Sequence, residues 1–214
     1  MTEEKNYTPA LRFNLLTPCY DWIVQWSSKE KVFKNKLIEQ AVFTNEDTVL
    51  DVGCGTGTLL SMLKHEHLDL HGVDIDPNCL LLAKQKLNKF SLSVKLQKGS
   101  ATFLPYEQDS FDHVFCSLMF HHLTDDDKVD GLKEIYRVLK PGGELHFADW
   151  GRPSSRWSRW RFLIVQLLDG FATTNACLSD FVAKSMRDAG FTVLETGRVN
   201  ALVGEIVLLN AKKL

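Results

Sequence analysis

From Asp47 onward, short apolar runs alternate with longer stretches in which apolar residues return with helical spacing. Runs of the first kind, bounded by turn formers, read as strands, and stretches of the second kind read as helices. Seven strands are predicted: Thr48–Val52, Asp69–Val73, Ser93–Gln97, His113–Ser117, Glu144–Asp149, Thr192–Gly197 and Leu202–Leu209. The first five are short and apolar, as strands covered on both faces are. Helices fit between them at Thr58–Lys64, Pro77–Phe90, Asp127–Leu139 and Ser179–Ala189. In the second of these, Leu80, Leu81, Ala83 and Leu87 are the apolar positions, with Asp76 as N-cap and Pro77 in the first helical position. In the third, Val129, Leu132, Ile135, Tyr136 and Leu139 share a face, and Pro141-Gly142-Gly143 is expected to stop it. Ser179 is expected to cap the last helix, with Gly190 just past its end.

This alternation predicts an α/β fold: a Rossmann-like, doubly wound, mostly parallel sheet with helices on both faces. Only Arg198–Ala201 separate the last two strands, too few residues for a parallel crossover, so an antiparallel C-terminal hairpin is expected. Residues 1–45 read as an irregular start and an amphipathic helix from about Cys19 to Gln40, together an N-terminal cap. Residues 46–149 form the core, 150–178 interrupt it with one helix rich in tryptophan and arginine, and 179–214 close the single domain.

With 214 residues, 44% hydrophobic and 24% charged, the chain can bury a substantial core in one domain. A net charge of −2 gives no global attraction to nucleic acid or anionic membranes, so any such binding needs a local patch. The five cysteines are widely spaced and form no CxxC pair, which suits reduced thiols and a cytoplasmic setting. The opening MTEEKNYTPA lacks a basic region followed by an apolar run, and the longest apolar stretch, Phe162 to Leu168, is about a third of a bilayer span. A soluble protein is expected.

The chemical signal is densest at Val49-Leu50-Asp51-Val52-Gly53-Cys54-Gly55-Thr56-Gly57, where a buried strand enters a glycine-rich turn and then a helix. Glycine permits positive φ and close approach of a ligand, and the helix start offers unpaired N–H groups. A dinucleotide fingerprint needs glycine at position 58, where Thr58 stands, and a phosphate loop needs Gly-Lys-Ser/Thr, which is absent. GxGxG after an acidic residue suits instead a ligand with an amino-acid end and no pyrophosphate. Asp74 ends the second strand, where a carboxylate can accept both hydroxyls of a ribose. Asp76 is better explained as the helix cap.

Taken together, VLDVGCGTG, VDIDP, Gly99-Ser100-Ala101 with Leu104-Pro105, Ser110-Phe111-Asp112 and LKEIYRVLKPGGEL resemble the motif series of class I S-adenosylmethionine-dependent methyltransferases. The nearest branch resembles the ubiquinone/menaquinone-biosynthesis C-methyltransferases and related small-molecule and lipid methyltransferases. The resemblance covers about residues 12–150. It implies S-adenosyl-L-methionine as cofactor, with Gly53, Gly55 and Gly57 lining its methionine end and Asp51 near its amino group. Asp74 would hold the ribose, Ile75 would pack on the adenine, and Leu118 would lie close by. Such proteins usually carry aspartate in the Gly-Asp-Ala motif to receive the adenine amine; here Ser100 stands beside Ala101, and a hydroxyl can also accept that bond. Tyr20 resembles an N-terminal tyrosine that closes over the cofactor.

A sulfonium methyl is already electrophilic, so in-line positioning supplies much of the acceleration and a base is needed only for a protonated acceptor. His121 and His122 follow the fourth strand, where open α/β sheets place substrates. One of them is a base or orients the substrate; a capping or packing pair is the equal alternative. No metal site is expected, and Asp125-Asp126-Asp127 reads as a solvated helix start. His65 and His67 read as surface residues.

Residues 150–171 carry four arginines (152, 156, 159 and 161) and three tryptophans (150, 157 and 160) ahead of an apolar run. Either this is an ordinary covering helix, or it is a lid admitting an apolar acceptor such as a quinone precursor, a phenol or a lipid headgroup. Its Arg/Trp face then suits transient contact with a membrane surface, with Phe13, Leu16, Trp22 and Trp26 as a facing wall. Two other functions compete: a non-catalytic S-adenosylmethionine-binding protein, and a nucleic-acid or protein methyltransferase. The second is disfavoured because Ser117-Leu118-Met119-Phe120 occupies the place where amine-methylating enzymes often carry Asn/Asp-Pro-Pro-Tyr/Phe.

Overall fold

A computed structural model describes residues 29–63 and 67–214. In chain order the elements are α1 (Glu30–Ile38), β1 (Thr48–Val52), α2 (Thr58–Met62), β2 (Asp69–Asp74), α3 (Pro77–Lys89), β3 (Val94–Lys98), β4 (Phe111–Ser117), α4 (Asp125–Val138), β5 (Leu139–Trp150), α5 (Arg156–Asp169), α6 (Phe171–Thr174), α7 (Phe181–Asp188), β6 (Phe191–Asn200) and β7 (Glu205–Lys213). Short 3-10 turns at Phe120–His122 and Asn175–Leu178 precede α4 and α7. The strands form one seven-stranded sheet in the order β3-β2-β1-β4-β5-β7-β6. The first five run parallel, and β7 is antiparallel to both β5 and β6. The doubly wound sheet and the closing hairpin match the architecture expected from the sequence.

Side-chain alternation divides the core in two. Val49 and Phe115 face a cluster that includes Phe33 and Leu37 of α1, Leu60 of α2, Leu87 of α3 and Phe162 of α5. Leu50, Val114 and Cys116 face the other cluster, with Leu132 and Ile135 of α4 and Met186 of α7. One helical layer therefore covers each face of the sheet. Asp76 caps α3 by accepting from the Asn78 N–H, with Pro77 at the first helical position.

Several expected boundaries shift. Helix α4 begins two residues earlier than expected because Thr124 accepts from the Asp127 N–H, which takes Asp125-Asp126-Asp127 into the first turn. It ends at Val138, and the chain passes directly into β5, so Pro141-Gly142-Gly143 lies within the strand as an irregular stretch rather than a loop. Leu139 is fully buried and Ser110 N–H donates to the Val138 carbonyl, which draws the chain into the sheet before the turn formers arrive. Helix α7 starts at Phe181, not Ser179, whose hydroxyl accepts from the Phe181 N–H one step ahead of the helix. Strand β7 starts at Glu205, not Leu202, because Ala201 N–H closes a turn onto the Gly204 carbonyl. The 150–178 segment is two helices and a 3-10 turn rather than one helix. Of the helix expected over Cys19 to Gln40, the described part is α1, which ends at Ile38, two residues short of Gln40; residues 19–28, like His65, lie outside the described residues. His67 is exposed.

Lys128 joins two of these regions. Its fully buried ammonium donates to the Leu123 carbonyl (2.9 Å), the Thr173 carbonyl (2.8 Å) and Asp125 Oδ1 (3.0 Å), tying the turn before α4 to α6. Lys128→Met takes a charged donor away from both carbonyls, at about 1–3 kcal/mol each. The expected result is a thermal midpoint lowered by about 5–15 °C for a chain of this size; an unchanged melting curve would show that the ammonium is not a structural tie.

Candidate active site

The C-terminal ends of β2, β1, β4 and β5 lie side by side, and the strand order reverses between β1 and β4. Open α/β sheets bind ligands at such a reversal. Here the reversal brings Gly53, at the end of β1, against Met119, just past β4. A Cβ added at Gly53 would lie 2.5 Å from Met119 Cγ, and φ there is +70°. Gly57, also at positive φ, backs onto Ala83 of α3 at 3.1 Å. Gly55 differs: its φ is +51°, yet nothing lies within 4 Å of its missing side chain. Two of the three glycines thus serve packing, while Gly55 presents bare backbone to open space.

The loop is held from outside. Gly53 and Cys54 N–H both donate to the Val73 carbonyl, and Gly57 N–H donates to Cys54. Asp74 Oδ2 accepts from Gly55 N–H at 2.8 Å, while Oδ1 accepts from Asp76 N–H at 2.9 Å. With the Ile75 N–H also bonding this carboxylate, its two oxygens together still have room for another donor. Lys86 reaches across from α3 to the hydroxyls of Thr56 and Thr58, 2.9 Å from each. Burial raises the Asp74 carboxyl above its ordinary range, against the pull of these backbone donors.

Asp51 lies beneath the loop, 1% exposed. Its Oδ1 is buried with no hydrogen-bond partner among the described residues. Burial pushes its pKa up to about 7, opposed by the charge of Lys34 and reinforced by that of Asp74. Lys34, on α1, donates to Glu30 at 2.6 Å. An unpaired buried acceptor is costly, and an amine-bearing ligand is the kind that would satisfy it. An acceptor oxygen without a donor under the loop and open space before Gly55 together fit the amino-acid end of the cofactor implied by the sequence.

Around the rim, Ile75 is 37% exposed, free to pack on a flat ligand. The Ser100 hydroxyl is 2.9 Å from that of Thr102 and accepts from the Thr102 N–H, so it is already engaged beside Ala101. The segment that follows is pinned by α4: Leu104 N–H donates to Glu134, and Arg137 donates to the carbonyls of Leu104 and Tyr106. Leu118 sits at φ +50°, a left-handed conformation costly for a branched side chain, while its N–H reaches the Ala148 carbonyl. Tyr20 lies outside the described residues.

The two histidines separate in role. His121 Nδ1 lies 2.7 Å from Asp149 Oδ1, and its backbone N–H donates to Oδ2 of the same carboxylate at 3.1 Å. A carboxylate here fixes the proton on Nδ1 and leaves Nε2 as the basic nitrogen. Burial raises the Asp149 carboxyl, but the charge of His121 and the bonds from its ring and from the N–H groups of His121 and Trp150 outweigh it, holding the group below its ordinary range. The His122 ring lies beside that of His121, with ring centroids 4.0 Å apart and the planes tilted by 44°. Burial, aided by the charge of His121, pushes its pKa down to about 3, so it is neutral at physiological pH.

Asp149 and Lys34 were absent from the sequence-derived set. Asp149 stands 28 residues beyond His121, on the neighbouring strand, so no local spacing marks the pair. Toward the N-terminal ends of the central strands β4 and β5 a second polar row appears that spacing also did not mark. His113 Nδ1 and His146 Nε2 are 3.1 Å apart, Asp47 Oδ2 is 3.4 Å from His113 Nε2, and the ligand atoms of His113, Glu144 and His146 lie within 4.8 Å of one another. A proton on each Nε2 makes this a hydrogen-bonded chain ending on Asp47. Burial keeps His146 neutral, with a pKa pushed down to about 3.

Residues 49–143 match the family model described as a methyltransferase domain. A demethylmenaquinone methyltransferase from Deinococcus radiodurans is 32% identical over 157 residues, covering 72% of this chain and 64% of that protein. The chain therefore spans less than two thirds of that relative's length. A demethylmenaquinone methyltransferase from Listeria welshimeri is 34% identical over 167 residues, covering 72% of this chain and 67% of that protein. Among solved structures, an S-adenosylmethionine-dependent methyltransferase from Methanosarcina mazei superposes with a TM-score of 0.67 at 20% identity, covering 83% of this chain and 97% of that one.

Proposed function

The chain belongs to the class I S-adenosylmethionine-dependent methyltransferases, and from that premise we propose that it methylates a small aromatic acceptor bearing an acidic hydroxyl, of the hydroquinone kind. The observation that carries this reading is the buried His121–Asp149 couple at the ends of β4 and β5, beside the glycine loop. The names of the Deinococcus and Listeria relatives point to the same acceptor class.

In this reading Asp51 holds the cofactor's ammonium, Asp74 its ribose hydroxyls, and Ile75, Ser100, Ala101 and Leu118 surround its adenine and sulfur. When bound, S-adenosylmethionine supplies an electrophilic methyl on a leaving group that departs as a neutral thioether. The residues of this chain prepare the acceptor. His121 Nε2 takes the proton of the acceptor hydroxyl, raising electron density on the oxygen and at the ring carbons conjugated with it. Asp149 holds the imidazole in the required tautomer and offsets the charge it acquires. His122, neutral throughout, orients the acceptor by hydrogen bonding. Trp150, with its ring centroid 6.4 Å from that of His121, supplies an apolar wall.

The test is formation of S-adenosylhomocysteine by the purified protein with a demethylmenaquinol analogue, simple phenols and lipid amines as parallel acceptors. Turnover confined to the hydroquinone and phenols is expected; turnover only with amines would refute the reading. Cofactor binding is read separately by calorimetry, with NADH and ATP as controls and Asp74→Ala as the weakened variant.

Asp51 gives this binding a defined pH dependence. A carboxyl with a pKa near 7 must lose its proton to pair with an ammonium, so cofactor affinity rises by up to about tenfold per unit from pH 5 to 7 and then levels off. The cofactor-free protein behaves oppositely. Its folded state keeps this proton between the ordinary value of 3.8 and about 7 while the unfolded chain has released it, so this group's contribution to stability declines as pH rises through that window. Asp51→Asn is expected to flatten both profiles; calorimetry and melting curves at pH 5, 6, 7 and 8 check it.

A further inference from the structure

Helix α5 buries one side and leaves the other exposed among the described residues. Phe162 and Val165 are fully or almost fully buried in the core, whereas Trp157 is 72% exposed, Trp160 69%, Ile164 48% and Leu167 73%. At 3.6 residues per turn these four positions fall within an arc of about 80°. They form a continuous apolar stripe along a helix of 14 residues. Soluble proteins seldom leave such a row of large side chains uncovered unless something else covers it.

The surroundings of the stripe are basic. Arg156 borders it on one side and Arg161 on the other, where Arg161 donates to the carbonyls of Ala201 and Leu202 and brings the exposed Leu202 beside the row. Arg152, Arg156, Arg159 and Trp160 line an open hollow of about 360 Å³ next to it. Residues 150–171 hold four arginines against one aspartate, in a chain whose net charge is −2. Among the described residues no helix is long and apolar enough to cross a membrane. An apolar stripe edged by arginine and tryptophan, too short to span, is the pattern of a helix that lies in the bilayer interface.

We propose that the α5 face docks onto the surface of a bilayer containing anionic lipids, with Trp157, Trp160, Ile164 and Leu167 among the upper acyl chains and the arginines on the headgroup phosphates. Opposite charge selects this occupant: the arginines would repel another copy of the same patch, while they attract a negative leaflet. The proposal does not depend on which acceptor is methylated.

The test is co-sedimentation of the full chain with vesicles of phosphatidylcholine alone and of phosphatidylcholine with 30% phosphatidylglycerol. Binding is expected only to the anionic vesicles, weakened severalfold at 0.5 M salt. Two variants separate the contributions: Trp157→Ala with Trp160→Ala, and Arg152→Glu with Arg156→Glu. Each pair is expected to reduce partitioning about tenfold or more, with melting temperature and S-adenosylmethionine affinity unchanged because all four side chains are exposed and lie outside the proposed cofactor site. Equal binding by wild type and both variants, or no binding to either vesicle, would overturn the proposal. So would a dimer in solution that the tryptophan variant dissociates, since the stripe would then be covered by a second copy. Loss of binding with methyl transfer intact, or the reverse, distinguishes this proposal from the acceptor reading.

Discussion

Replacing His121 by alanine is expected to lower kcat for a hydroxylated acceptor about 10²–10⁴-fold, the usual contribution of a positioned base. S-adenosylmethionine affinity should stay within about twofold, because His121 bonds to Asp149 and not to the glycine loop. Asp149→Asn should reach a similar loss by a different route. The amide offers the ring an N–H as readily as an oxygen, so the tautomer with its proton on Nδ1 is no longer enforced. Added imidazole is expected to restore part of the activity to His121→Ala and none to Asp149→Asn, since only the first leaves a space of the right shape beside a standing carboxylate. If both variants keep full turnover, the couple is a packing pair, the alternative that the adjacent histidines carried from the start.

The second large effect is expected in the glycine loop, and whether stability or cofactor affinity takes most of it depends on which glycine is changed. Gly53→Ala drives a methyl into Met119, whose Cγ and Cβ lie 2.5 and 2.9 Å from the new atom, at a backbone φ of +70°. Overpacking of this kind costs about 1–3 kcal/mol, and the left-handed conformation about 1–2 kcal/mol more. The melting temperature should fall by about 5–15 °C. Adding Met119→Ala removes the Cγ contact but leaves the Cβ contact at 2.9 Å and the backbone cost, so the double variant should recover only part of the loss. Gly55→Ala meets nothing within 4 Å and carries only the conformational cost. Its melting temperature should drop by a few degrees, yet its cofactor affinity should fall about tenfold or more, because the methyl occupies the approach to the bare backbone. Thermal scans with and without S-adenosylmethionine separate the two. Equal stability losses at both positions would show that the loop's two faces are not distinguished as the structure has them.

What could be read along the chain was what neighbours in sequence decide. The cap at Asp76, the turn at Gly190 and the strand leading into Gly53 each depend on a handful of adjacent residues. So did the parallel order, since helical stretches between buried strands leave few other topologies. What could not be read was set by partners far apart. His121 and Asp149 meet because β4 and β5 are neighbours with a fixed register, and Asp51 feels Lys34 because α1 folds onto the sheet. The strong stop signal at Pro141-Gly142-Gly143 misled because sheet pairing and the burial of Leu139 claimed the chain first. The glycine loop looked uniform as a motif, and only the packing of Met119 and Ala83 shows that its three glycines do different work.

The position of β7 bears on how the protein is made. It follows β6 in sequence but lies inside the sheet, bonded to β5 on one edge and β6 on the other. A ribosome that has released everything through β6 has therefore supplied six strands that cannot yet close into one sheet. Until β7 emerges, the inner edge of β5, from Leu145 to Trp150, stands open with unpaired N–H and C=O groups beside apolar side chains. An open edge of that kind is a template for another nascent strand. The stretch of synthesis before β7 emerges is thus an interval in which this sheet needs a chaperone, and ribosomes stalled before Glu205 should yield product that aggregates while chains carried through Lys213 do not.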